Sequence, residues 1–250
     1  MARGLWTRVP AALLIGLCLA LAAAAAIGGE AGLQGEGDSV VLLHGLGRTR
    51  TSMLLLAQRL ERAGYNVTNV GYDSRGGSLA EHVETLAAEV SGCCATASRI
   101  HFVGHSLGGL VIRQYLADSP PDALGRVVLL GPPNQGSEMA DWFREQPFGH
   151  LLGPAGEALG TGASDIPANL PPPGYEVGII AGSRSLNPIG SALIPGPDDG
   201  MVGIEHTRIE GVPLIVVPAT HTFLMNSRFS AEAVISFLGT GRFPEAPDRR

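Results

Sequence analysis

The chain contains no lysine: all 17 of its cationic residues are arginine. That excludes a P-loop lysine, a pyridoxal Schiff base and any lysine nucleophile. Charge of either sign is sparse at 16%, and the formal balance of 17 − 23 = −6 comes without a basic run, which argues against nucleic acid as a partner. Cysteine is limited to Cys18 and the neighbours Cys93 and Cys94, neither a disulfide framework nor a zinc ligand set. Adjacent Cα atoms sit about 3.8 Å apart, inside the roughly 4.4 Å minimum of a relaxed disulfide, so free thiols are expected. The 35 glycines and 18 prolines imply many turns but recur at no fixed period, which excludes repeat and collagen architectures. Apolar residues make up 45% of the 250, enough to bury one sizeable core, and the length fits one domain with appendages.

The first 27 residues read as an address. Arg3 and Arg8 precede an apolar run over 11–27 with no charge, and Ala22, Ala24 and Ala26 offer small-x-small cleavage sites. A cleaved signal peptide and a retained membrane anchor both fit: residues 9–29 are 21 uncharged positions, about 32 Å as a helix. No cation reappears until Arg48, so in either case the rest of the chain is expected outside the cytoplasm, secreted, periplasmic or tethered to the membrane. Residues 28–38 hold five glycines in eleven and read as a flexible linker. A folded domain is then expected over 39–240, and 241–250 as a tail.

From 39 onward short β-branched runs alternate with helical patterns. Strands are expected over 39–43, 66–72, 99–104, 126–131, 175–181 and 213–217. Helices are expected after Leu54, with Leu54, Leu55, Leu56 and Leu60 on an apolar face, and over 78–90, 107–117 and 231–238. This alternation indicates an α/β fold, a six-stranded parallel sheet covered by helices on both faces. Residues 133–174 interrupt the pattern; 42 residues between two strands are too many for an idle loop and are expected to form a cap. Trp142, Phe143 and Phe148 lie there in a chain only 5% aromatic. They are expected either to line a pocket for an acyl chain or to seat the cap on the sheet.

The third strand runs into Gly104-His105-Ser106-Leu107-Gly108 and then directly into a helix. A strand–Gly-x-Ser-x-Gly–helix junction forces a sharp turn that lifts the serine hydroxyl above the sheet, at a helix N-terminus where negative charge is favoured. A structural turn with an incidental serine is the alternative. A hydroxyl needs a base, and the base an acid to orient it, in the chain order Ser, acid, His. His221 and His206 follow the serine outside the cap; His221 opens the loop after the last strand and is preferred. In Asp198-Asp199-Gly200 the second acid is preferred, because the glycine permits the tight turn that would aim it. His44-Gly45-Leu46-Gly47 leaves the first strand, so the backbone N–H of Leu46, with that of Leu107 after the serine, could hold an oxyanion, each worth about 3 kcal/mol in a transition state.

The segments VVLLHGLG, FVGHSLGGLVIRQYL, GPPNQGSEMADWF, DDGMVG and ATHTF together resemble the α/β-hydrolase superfamily, and its small bacterial lipase/esterase-like serine hydrolases in particular. The resemblance runs from Val40 to Leu238. It implies Ser106 as nucleophile, Asp199 as acid, His221 as base and Leu46 as a backbone oxyanion donor, and a cap leaving the sheet near Asn134–Glu138. No calcium ligand cluster is recognisable, so neither metal nor cofactor is expected. The implied activity is hydrolysis of carboxylic esters, small or lipid, through an acyl-enzyme. An acyltransferase with a non-water acceptor and a binding module that has lost catalysis are the rival classes.

Overall fold

The computed structural model describes residues 37–244. The expected leader, most of the linker and the end of the tail lie outside the described residues. Among those described, no helix is long and apolar enough to cross a membrane.

Six strands form one parallel sheet: β1 (Ser39–Leu43), β2 (Asn66–Val70), β3 (Ile100–His105), β4 (Leu124–Leu130), β5 (Val177–Gly182) and β6 (Leu214–Val217), in the order β2-β1-β3-β4-β5-β6. Helices α1 (Leu54–Arg62), α2 (Leu79–Cys93) and α3 (Leu107–Asp118) connect the first four strands. The short helices α4 (Glu138–Arg144), α5 (Gly153–Glu157) and α6 (Ile166–Asn169) belong to the cap, which enters between β4 and β5. Two more short helices, α7 (Pro188–Leu193) and α8 (Ile204–Thr207), lie between β5 and β6, and α9 (Arg228–Thr240) follows β6.

The central strands β1, β3 and β5 are buried at every position because both faces are covered. Val41 and Leu43 point into a core shared with Leu86 of α2 and Leu110 of α3. Val40 and Leu42, displaced by the period of two, point into the opposite core with Leu60 of α1 and Phe237 of α9. α1 corrects one expectation: Leu56 and Leu60 are fully buried, but Leu54 and Leu55 are 49% and 40% exposed. Four leucines within seven residues span more of the helical circle than one sheet face can cover, so the first two point outward. The tail expected from residue 241 is also packed at its start, where Phe243 lies 4.8 Å from Phe237, ring to ring. Cys93 and Cys94 are joined in a disulfide at a Cα–Cα distance of 3.7 Å, which corrects the expectation of free thiols. The pair falls where α2 ends and Cys94 leaves helical geometry.

Order reverses between β1 and β3: from β1 the chain crosses outward to β2, then returns to the other side of β1. A crevice opens at the carboxyl end of such a switch point. Leu43 is in register with Gly104, so His44–Leu46 and Ser106 leave the sheet side by side.

Cap and sheet are tied by a buried cation with no carboxylate partner among the described residues. Arg113 of α3 donates to the Asn134 side-chain oxygen at 2.9 Å and to the Pro171 carbonyl at 3.0 Å. Asn134 donates onward to the Thr207 carbonyl at 2.7 Å. Burial pushes the guanidinium pKa down from its usual value, and the hydrogen bonds stand in for a counter-ion. Arg113→Leu is expected to leave these acceptors unpaired and cost about 3 kcal/mol, lowering Tm by about 6–12 °C. A calorimetric Tm within about 2 °C of the parent would contradict this role.

Candidate active site

Ser106 joins β3 to α3 with φ 54° and ψ −125°, and it is the one non-glycine residue at positive φ among the described residues. The turn is possible because two neighbours have no side chain. A Cβ on Gly104 would stand 2.6 Å from the Gly109 backbone, and one on Gly108 would stand 2.5 Å from the carbonyl oxygens of Leu43 and His44. The Ser106 N–H is tied to the Leu130 carbonyl at 2.9 Å, so neighbouring β4 holds the turn in place. Leu107 is the first residue of α3, where the N–H has no acceptor within the helix.

His221 opens the segment after β6, and its Nδ1 lies 2.8 Å from Asp199 Oδ2. The carboxylate accepts there, so Nδ1 carries the proton and Nε2 keeps its lone pair. Asp199 is itself fixed: its Oδ1 accepts from the N–H groups of Met201 and Val202 at 3.1 and 2.9 Å, and its carbonyl accepts from the His221 N–H at 2.9 Å. The turn that aims it has Gly200 at φ +96°. Asp198, the alternative acid, is occupied with Ser191 and the Gly200 N–H at 2.9 and 2.7 Å. The alternative base, His206, faces Glu138 at 3.2 Å.

Two supports had no signal in the sequence. The fully enclosed His105 ring, 4.8 Å from that of His221, donates from Nε2 to the His221 carbonyl at 3.0 Å. Burial drives its pKa well below the usual imidazole value, so it stays neutral. The loop carrying Leu46 is braced from outside: Tyr72 Oη donates to the His44 carbonyl at 2.8 Å, its ring stacks on the His44 ring at 4.4 Å, and the Gly47 N–H donates to Ser74 Oγ at 3.0 Å.

Ser106 and His221 line one cavity of about 170 Å³, together with Leu46 and Arg48 of the loop after β1. The cap contributes Ser137, Ala140, Phe143 and Leu152 to its wall, and the Asp199 loop adds Met201 and Val202. Of the three aromatics expected in a pocket, only Phe143 lines it. Ala140 and Phe143 share a face of α4 at a spacing of three, which turns Trp142 away. Trp142 and Phe148 instead pack edge-on against Phe143, at 5.1 and 6.1 Å between ring centroids, and Phe148 is 45% exposed. Ser137 caps α4 and donates to the Met201 carbonyl at 2.7 Å, linking the cap to the loop of Asp199.

Residues 38–161 match the sequence pattern of the alpha/beta hydrolase fold family. The match includes Ser106 and the loop of Leu46 and ends before Asp199 and His221. Among curated proteins, the chain is similar to a triacylglycerol lipase of Pseudomonas fragi, 35% identical over 72 residues, and to one of Burkholderia plantarii, 33% identical over 75 residues. These stretches cover 29% and 30% of this chain but only 22% and 19% of those proteins, about a fifth of their length. A lipase of Bacillus licheniformis in its propeptide form superposes with a TM-score of 0.70 at 19% identity, over 84% of this chain and 52% of that one. Phospholipase PlaB of Legionella pneumophila superposes with a TM-score of 0.61 at 15% identity, over 78% of this chain and 56% of that one. At such identities the superpositions speak for the fold. By the family pattern over residues 38–161, its sheet order and its architecture, the chain has the α/β-hydrolase fold, and part of it is similar in sequence to bacterial triacylglycerol lipases.

Proposed function

We propose that this protein is a serine esterase hydrolysing short carboxylic esters. The observation that carries the reading is the strained Ser106 turn opening on the same cavity as an imidazole already oriented by a buried carboxylate. In the proposed reaction His221 Nε2 takes the Ser106 proton as Oγ attacks the ester carbonyl, and the N–H groups of Leu46 and Leu107 receive the oxyanion. The tetrahedral intermediate collapses, the ester C–O bond breaks and the leaving alkoxide takes the proton from His221. Water, deprotonated by the same imidazole, then attacks the acyl-Ser106 carbonyl and releases the acid. Asp199 holds the ring and stabilises its cation without itself accepting the proton. Ser106→Ala is expected to lower kcat by at least about 10⁴, and Asp199→Asn by about three to four orders of magnitude. Folded variants retaining more than a tenth of the parent kcat would overturn the assignment.

Cavity size supports a short acyl group. An apolar void of about 150 Å³ accommodates a benzene ring, and this one is about 170 Å³. On p-nitrophenyl esters kcat/KM is expected to rise about fourfold per added methylene from acetate and to fall beyond about six carbons. Phe143→Ala should shift that optimum to longer chains, whereas Trp142→Ala should leave it in place. The reverse pattern, or an optimum at palmitate, would contradict the assignment of the wall.

We also propose that the domain works outside the cytoplasm, on the strength of Arg3, Arg8 and the uncharged run that follows. A C-terminal alkaline phosphatase fusion to the full chain is expected to be active in a bacterial host. An inactive phosphatase beside an active cytoplasmic reporter at the same junction would reverse the topology.

A further inference from the structure

Arg48 is the only formally charged side chain on the wall of the cavity, which also holds the apolar Phe143, Leu152 and Leu159. The other arginines of the described residues divide by their surroundings. Arg99, Arg126, Arg144, Arg208 and Arg228 are ion-paired. Arg59 donates to backbone carbonyls, and the terminal nitrogens of Arg113 donate to an amide oxygen and a carbonyl. Several others extend from the exposed surface. Arg48 is half-buried, yet among the described residues its guanidinium meets neither a carboxylate nor a hydrogen-bond acceptor. Its backbone is committed: the Arg48 N–H closes a turn onto the Gly45 carbonyl at 3.3 Å, directly after the loop of Leu46.

This placement works against the neutral-ester reaction. A guanidinium stays charged at every working pH, and a positive charge in the same small cavity opposes the cation that gathers on His221 during attack. At His105, where burial is the main cause of the lowered pKa, the Arg48 charge acts in the same direction. Negative charge arriving with the substrate would remove that opposition and satisfy the unpaired fork. A planar guanidinium matches a carboxylate or phosphate in bidentate fashion, which a neutral ester cannot exploit.

We propose that Arg48 is a specificity-determining residue that binds an anionic group, carboxylate or phosphate, carried by the ester substrate near its scissile bond. The substrates are then amphipathic anionic esters: an apolar portion against Phe143 and Leu152, the scissile carbonyl at Ser106, and the anion at Arg48. This inference rests on the esterase reading and names its substrate class.

Two substrate pairs of matched size test it with the full-length protein. Phenyl hexanoate against monophenyl adipate places the charge on the acyl side; phenyl butyrate against meta-butyryloxybenzoate places it on the alcohol side. In at least one pair the anionic ester is expected to be favoured in kcat/KM, and Arg48→Gln to reduce that preference about ten- to hundredfold while neutral-ester turnover persists. Arg48→Lys should restore part of the preference, and Arg62→Gln, which removes the same charge from the far end of α1, should leave it intact. Equal preference in parent and Arg48→Gln would overturn the inference while leaving the esterase reading standing. So would an equal loss on neutral and anionic esters, which would make Arg48 a support of its loop. Turnover of none of the four esters by the parent would overturn both.

Discussion

The site depends on holding a serine where an L-residue is strained. At φ 54° and ψ −125° Ser106 sits in a conformation costing about 1–3 kcal/mol, and it persists only because the surroundings leave no alternative. Parallel pairing of β3 between β1 and β4 fixes where the strand ends, α3 fixes where the chain must go next, and Gly104 and Gly108 let the two approach. Because β1 lies beside β3 in register, the loop carrying Leu46 emerges next to the serine, and Tyr72 and Ser74 brace that loop from the β2 side. Sheet order therefore brings Ser106 and the loop of Leu46 to one edge.

The proposed acid–base pair is held by different means. Asp199 and His221 come from loops after β5 and β6, where the chain is less constrained, and hydrogen bonds replace secondary structure as the fixing agent. Each Asp199 carboxylate oxygen has a defined donor, and the backbones of the two residues bond to each other. His105 reaches across from β3, the strand that leads into Ser106, to the His221 carbonyl. Ser137 ties the cap to the same loop through the Met201 carbonyl. A displacement of the cap is thus expected to reach the imidazole as well as the substrate wall.

Features governed by local chemistry were legible in the sequence. The strand SVVLL, buried on both faces, reads as a continuous apolar run, and β3 leading straight into α3 marks the turn that Ser106 occupies. Gly200 after Asp199 marks the tight turn beside His221. Features set by rotation about a short helix were not legible. Trp142 and Phe143 are adjacent in sequence, and only the docking of a seven-residue helix decides which of them meets the cavity. Leu54 and Leu55 likewise differ from Leu56 only by angle around α1. Arg48, His105 and Tyr72 carried no motif of their own, since their partners lie in other segments of the chain. The joined Cys93 and Cys94 went against a distance argument that assumed a relaxed bridge.

The cavity is lined by apolar side chains, the serine of the strained turn, an oriented imidazole, and one guanidinium without a partner among the described residues. Everything proposed for it rests on Ser106 being the atom that becomes covalently modified. The most direct measurement is to treat the purified chain with a fluorophosphonate, digest it and locate the adduct by mass spectrometry. The account predicts one phosphonyl group per chain, on the peptide containing Ser106. An adduct on a different residue, or an unlabelled protein whose fold is intact, would contradict it.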